Sequence, residues 1–155
     1  MKSTILIILI TFLVLVSCKK EQTKEVIIPT NTTVEKMMQI DDGRLSLKLN
    51  AMQKNHQLSN MRSHLEAIQQ ITVLLVQENY DEASKLAYTK LGSTTEMRMM
   101  CASFGDKNFE NLGLKFHESA DKMSEVFKSR NKDKSLTALS NTLGYCVQCH
   151  TTYKQ

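Results

Sequence analysis

Between residues 50 and 155 the apolar side chains recur at intervals of three and four in four successive stretches, and this period confines the chain to amphipathic helices. The first predicted helix opens at Asn50, with Gln53 completing a capping box, and runs to about Glu78 with Leu58, Met61, Leu65, Ile68, Thr72 and Leu75 on one face. Asn79-Tyr80-Asp81 makes the turn, and Asp81 is expected to cap a second helix in which Ala83, Leu86, Ala87 and Leu91 share a face. Gly92 interrupts that helix, Thr94 or Thr95 starts a short continuation through Met97, Met100 and Cys101, and Gly105-Asp106 ends it. A third helix from about Lys107 turns Phe109, Leu112, Phe116, Ala120, Met123 and Phe127 inward. After a polar turn, Asp133 is expected to cap a fourth, with Leu136, Leu139, Leu143, Cys146, His150 and Tyr153 in line.

Four such helices joined by short polar turns predict an all-α fold, an antiparallel four-helix bundle. The composition agrees: there is one proline, Pro29, there are five glycines and no tryptophan, and good helix formers abound. Leu45, Leu47 and Leu49 alternate with polar residues as a strand would, but a single strand without a partner makes no sheet, so the segment is read as an extended lead-in. The 20 basic and 16 acidic residues mostly interleave, and the net charge of +4 forms no basic stripe of the kind that binds nucleic acid.

Residues 1–17 read as an export leader, with Lys2 as the positive start and an apolar run over 5–16 that is too short for a permanent membrane span. The run ends in Leu15-Val16-Ser17-Cys18, which resembles a bacterial lipoprotein cleavage motif. That resemblance implies that Cys18 is lipidated and becomes the first residue of the mature chain, with enough acyl chains for stable anchoring. Residues 18–49 then comprise the lipidated cysteine, a polar tether and the lead-in, with a capping-box spacing at Thr32 and Glu35 compatible with a short helix through Met38. Residues 50–155 are the helical domain.

The chemistry sits at Cys146-Val147-Gln148-Cys149-His150. On a helix the two thiols and the imidazole, at i, i+3 and i+4, fall on one side within about 5–6 Å of each other. C-x-x-C-H is the signature of covalent c-type haem attachment, with the histidine as proximal iron ligand. Three other readings compete. Zinc would need further ligands, for which Cys101, His64 and His117 are available, but none forms a second paired motif. A dithiol redox motif wants a thioredoxin-like strand and helix. A disulfide between i and i+3 within a helix is badly placed. Export favours haem, because c-type haem is attached beyond the membrane across which the leader carries the chain.

With its motif on the last helix, followed by Thr151-Thr152-Tyr153-Lys154, the segment 50–155 resembles the class II cytochromes c, the cytochrome c prime family and its low-spin relatives. The resemblance implies one covalent haem c, a four-helix bundle, and a first helix facing the distal side of the haem. The lipid anchor and the break at Gly92 depart from the family's usual pattern.

The first helix offers Met52, His56, Met61 and His64 as a sixth iron ligand, and at about 100° per residue Met61 lies near the centre of the apolar stripe, His64 on its flank, and the other two opposite. Met61 is the first candidate and His64 the second, although methionine is also a usual filler of irregular cores. If the site has no sixth ligand, Leu58 is the residue expected to cover the distal face. Lys54, a further turn back, either pairs with a haem propionate or snorkels. Tyr153 and Lys154 are expected to line the haem. His117 reads as a structural flank residue, and the cluster of Met97, Met99, Met100 and Cys101 as core, with Cys101 an unpaired buried thiol.

The expected function is electron transfer by a monohaem cytochrome rather than enzymatic catalysis, at the bacterial cell envelope, facing the periplasm or the outer surface. The expected partners are redox proteins and, through the lipid, the membrane; a homodimer stays open. The alternative is a five-coordinate haem protein that binds nitric oxide or carbon monoxide, and a third reading is a zinc-stabilised helical lipoprotein.

Overall fold

The computed structural model describes residues 41–155, which form one compact unit. The leader, Cys18, the tether and the Thr32/Glu35 capping signal lie outside the described residues. The fold is all-α: α1 (Ala51–Val76), α2 (Tyr80–Leu91), α3 (Thr95–Ala102), α4 (Lys107–Phe127) and α5 (Lys132–Thr152). A two-residue strand precedes them, β1 (Leu45–Ser46), and another follows, β2 (Tyr153–Lys154). Helix α4 is the centre of the packing, in contact with α2, α3 and α5, while α1 packs along α2. With α2 and α3 sharing one place, about four helices make a bundle.

Local chemistry sets the boundaries. Asn50 accepts from the Gln53 amide at 2.9 Å while the Gln53 side chain accepts from the Asn50 amide at 3.0 Å, the capping box expected. The caps of α2 and α5 are Asn79 and Asn131, two residues before the expected Asp81 and Asp133; their side chains accept from the Glu82 and Lys134 amides. The aspartates instead stand in the first turn, where their charge meets the positive end of the helix dipole. Thr94 caps α3 and Asp106 caps α4. The break at Gly92 is held by Asp121 of α4, which accepts from the Ser93 amide at 3.1 Å and from its hydroxyl.

The core joins Ala67, Ile71 and Leu75 of α1 to Ala83, Ala87 and Leu91 of α2, Phe116, Ala120, Met123 and Phe127 of α4, and Leu139 of α5. Small residues let α2 and α4 approach closely, and there the Ser84 and Ser124 hydroxyls each donate to the other residue's carbonyl at 2.9 Å. Leu49, Phe104, Phe109 and Tyr153 form a smaller cluster at one end.

Three further expectations are corrected. The buried line of α1 is Gln57, His64, Ala67, Ile71 and Leu75, so Leu65 is 70% exposed and Thr72 is exposed as well. Leu136 of α5 is exposed, and Ser135 and Thr142 are buried in its place beside Leu139. The lead-in does find a strand partner: β1 pairs in parallel with β2, Leu45 opposite Tyr153 and Ser46 opposite Lys154. That partner was hidden because Tyr153 continues the helical spacing of α5, yet the helix stops at Thr152 and the backbone of Tyr153 is extended.

Candidate functional site

Helices α1 and α5 scarcely approach each other along their backbones, and between them, floored by α4 and closed at one end by α3 and Phe104, lies a cavity of about 420 Å³. That is within the roughly 300–1,000 Å³ usual for sites of cofactor-sized molecules. Leu58, Met61, Leu65 and Ile68 of the α1 apolar stripe face this cavity, while Leu75, further along the stripe, is buried in the core and Ile68 packs against it as well. A helical pattern cannot distinguish a wall of a cavity from a wall of a core, since both select apolar residues at the same spacing.

The opposite wall is α5, which contributes Cys146, Cys149 and His150. The two cysteines are half-buried and unpaired, and His150 is exposed. Burial raises both thiols; Cys149 is pushed up to about 11, with Cys146 and Cys101 adding to the shift. The thiols are therefore protonated near neutral pH. The lead-in secures this end of α5, because Arg44 donates to the His150 carbonyl at 3.2 Å.

Two more imidazoles reach the same cavity. His64 of α1 is 8% exposed, and its Nε2 is buried without a hydrogen-bond partner. Burial, with a smaller contribution from His117, lowers its pKa to about 4. His117 of α4 is 2% exposed and donates from Nδ1 to the Leu91 carbonyl at 2.7 Å, since a carbonyl can only accept. Burial lowers its pKa, outweighing that bond. The rings of His64 and His117 meet edge to face with centroids 5.7 Å apart, and Phe116 packs against both.

Of the residues singled out from sequence, the cavity brings together Cys146, Cys149, His150, Met61, Leu58 and His64. Met61 is half-buried and Leu58 is 43% exposed. Lys54 is exposed and stands outside the lining. Tyr153 and Lys154 also stand outside it: Tyr153 packs edge to face on Phe109 at 5.2 Å, and Lys154 pairs with Asp42 at 3.1 Å and Asp41 at 3.5 Å. Sequence reasoning placed His117 and Cys101 in the structure of the bundle; both in fact line the cavity. For His117 the only signal was its position beside Phe116, one residue off the inward stripe.

Among the described residues no three His, Cys, Asp or Glu side chains are grouped as a metal-ion site, and no helix is long and apolar enough to cross a membrane. No family model, no curated protein and no solved structure matches the chain.

Proposed function

We propose that this protein is a monohaem c-type cytochrome that carries single electrons between redox proteins at the cell envelope. The observation that carries the reading is that Cys146, Cys149 and His150 face an apolar cavity whose other walls present imidazoles. The residues suit a haem. Iron already held by a porphyrin asks the protein for only one or two axial ligands, so a grouped set of three or four is not needed, and the unpartnered Nε2 of His64 is a buried donor or acceptor looking for a bond.

When bound, the haem supplies an iron that alternates between the ferric and ferrous states. Cys146 and Cys149 would hold it through thioether bonds, and His150 would be the proximal ligand. Ile68 and Phe116, the less exposed apolar residues of the lining, would help to keep water from it, which would favour the less charged ferrous site. Arg44, by binding the His150 carbonyl, steadies the backbone that carries the proximal imidazole. The helical bundle, the motif on its last helix and the basic residue after Tyr153 support kinship with the class II cytochromes c. Cys18 and the leader support a lipid-anchored position at the bacterial envelope. A second reading, capture of nitric oxide or carbon monoxide at an open sixth position, is favoured by Leu58 on the α1 wall.

The test is to express the full chain with a haem-attachment system, denature it, and stain the gel for peroxidase activity. Haem colour should stay with the polypeptide and disappear in the Cys146→Ser, Cys149→Ser double variant. A colourless wild-type band, with zinc found by elemental analysis, would replace this function by the zinc-stabilised reading. Reversible bleaching and recovery of the reduced spectrum with a chemical oxidant and reductant should follow in the wild type.

A further inference from the structure

A histidine sealed in a protein interior normally spends its polar atoms on hydrogen bonds, because a buried polar group left alone destabilises the fold. His64 does not: it is more than nine-tenths buried, and its Nε2 has no partner. It stands on the α1 wall of the cavity, whereas the motif stands on the α5 wall. Met61, one turn earlier, lines the same wall, but a thioether is satisfied by packing alone and its presence asks for no further bond.

His117 lies beside His64 on the same cavity. Its Nδ1–H is committed to the Leu91 carbonyl, which fixes the tautomer and leaves Nε2 with a lone pair. The His64 ring lies edge to face against it at a centroid separation of 5.7 Å, close enough for a small side-chain adjustment to join the two ring edges. A metal-bound imidazole carries a hydrogen on its other nitrogen, and such ligands are almost always held by an acceptor there. Leu91, His117 and His64 are in the order that such support requires.

We propose that His64 supplies the sixth ligand of the haem iron and that His117 is the residue that positions it, so that His150 and His64, rather than His150 and Met61, close the two faces. This rests on the haem reading above. In it, His117 accepts from the His64 ring, makes that imidazole a stronger electron donor, and so favours the ferric state. Met61 would then line the pocket without bonding to iron.

The experiment is electron paramagnetic resonance and visible spectroscopy on the purified holoprotein and three variants. Wild-type ferric protein should be low-spin, without the far-red band of a methionine–iron bond, and Met61→Leu should leave that spectrum unchanged. His64→Ala should be high-spin and its ferrous form should gain at least about tenfold in carbon monoxide affinity, because the internal ligand no longer competes. His117→Leu should remain low-spin but move the reduction potential upward, and His117→Gln, which restores an acceptor, should move it back toward wild type. A purely structural histidine would not give that reversal. High-spin wild-type iron, or a far-red band that Met61→Leu abolishes, overturns the assignment while leaving the cytochrome intact. A potential that His117→Leu leaves unmoved overturns the positioning role. Polypeptide that carries no covalent haem overturns the underlying reading itself. If His64→Ala does not fold, the wild-type and Met61→Leu spectra alone decide between the two ligands.

Discussion

Leu45 lies directly opposite Tyr153 in a parallel bridge, and the Leu47 amide continues it by donating to the Lys154 carbonyl at 3.0 Å. The segment before α1 is thereby fastened to the residues that follow the cysteine motif. Arg44 reinforces the junction through the His150 carbonyl, and Asp42 does so through Lys154. The Arg44 guanidinium, with Lys154 adding to it, holds the Asp42 carboxyl far below the usual carboxylate range. The junction fixes the end of α5 from outside the cavity, which leaves the cavity wall free for ligand contacts.

Tyr153→Ala should therefore cost stability through packing rather than through the site. Tyr153 is 8% exposed and shares its cluster with Leu49, Phe104 and Phe109, so removing the ring should destabilise the domain by about 3 kcal/mol, as for other buried aromatics. Tyr153→Phe keeps the edge-to-face contact with Phe109 and should change stability by less than about 1 kcal/mol. Urea unfolding followed by circular dichroism measures both. Equal losses in the two variants would show that the hydroxyl, not the ring, secures the junction.

Gly92→Ala should be costly although the backbone there, at φ −71°, suits any residue. An added Cβ would collide with the Tyr88 carbonyl oxygen and with Asp121 Oδ1, which caps the break between α2 and α3. Overpacking of this kind should destabilise by about 1–3 kcal/mol. Gly144, where an added Cβ meets nothing within 4 Å, is the control: Gly144→Ala should be neutral or stabilising within a helix. Thermal unfolding of the pair provides the comparison.

What could be read in advance divides along the range of the interactions. The Asn50–Gln53 capping box was legible because both residues lie within one turn. Asp81 and Asp133 were mistaken for caps because asparagine two residues earlier offers the same acceptor, and local chemistry ranks the two nearly equally. The Leu45–Tyr153 pairing joins opposite ends of the domain and left no mark in either segment alone. Cys146, Cys149 and His150 were legible as a spacing, and His64 as a flank position on α1. The role open to His117 was not, because it depends on the Leu91 carbonyl where α2 ends and on a ring from α1, neither near it in sequence.

The proposed export leader makes a separate prediction. If Cys18 carries the lipid, Cys18→Ala should release the protein from membranes and leave the cavity intact, since the described domain from Asp41 onward has its own core. Fractionation with the visible spectrum as readout tests this. Variant protein that stays wholly in the membrane pellet would point to a holdfast other than lipid.

Cys101 offers the last prediction, which follows the reactivity of a thiol with pH. Its side chain is 5% exposed, and burial, with Glu110 adding to it, pushes its pKa from the ordinary 9.0 up to about 11. Only the thiolate is a strong nucleophile, so in native protein Cys101 should resist iodoacetamide at neutral pH and react fully once the chain is unfolded. Between pH 9 and about 11 the unfolded chain has lost this proton and the folded one has kept it. The folded state then binds more protons, so stability should fall as pH rises through that window. A Cβ built on Gly113 would lie 2.8 Å from Cys101 Sγ, so Gly113→Ala should displace the thiol and increase native labelling. Mass spectrometry of peptides labelled before and after unfolding measures each effect. Rapid native alkylation of wild-type Cys101 at neutral pH would mean that the α3–α4 wall of the cavity opens readily in solution.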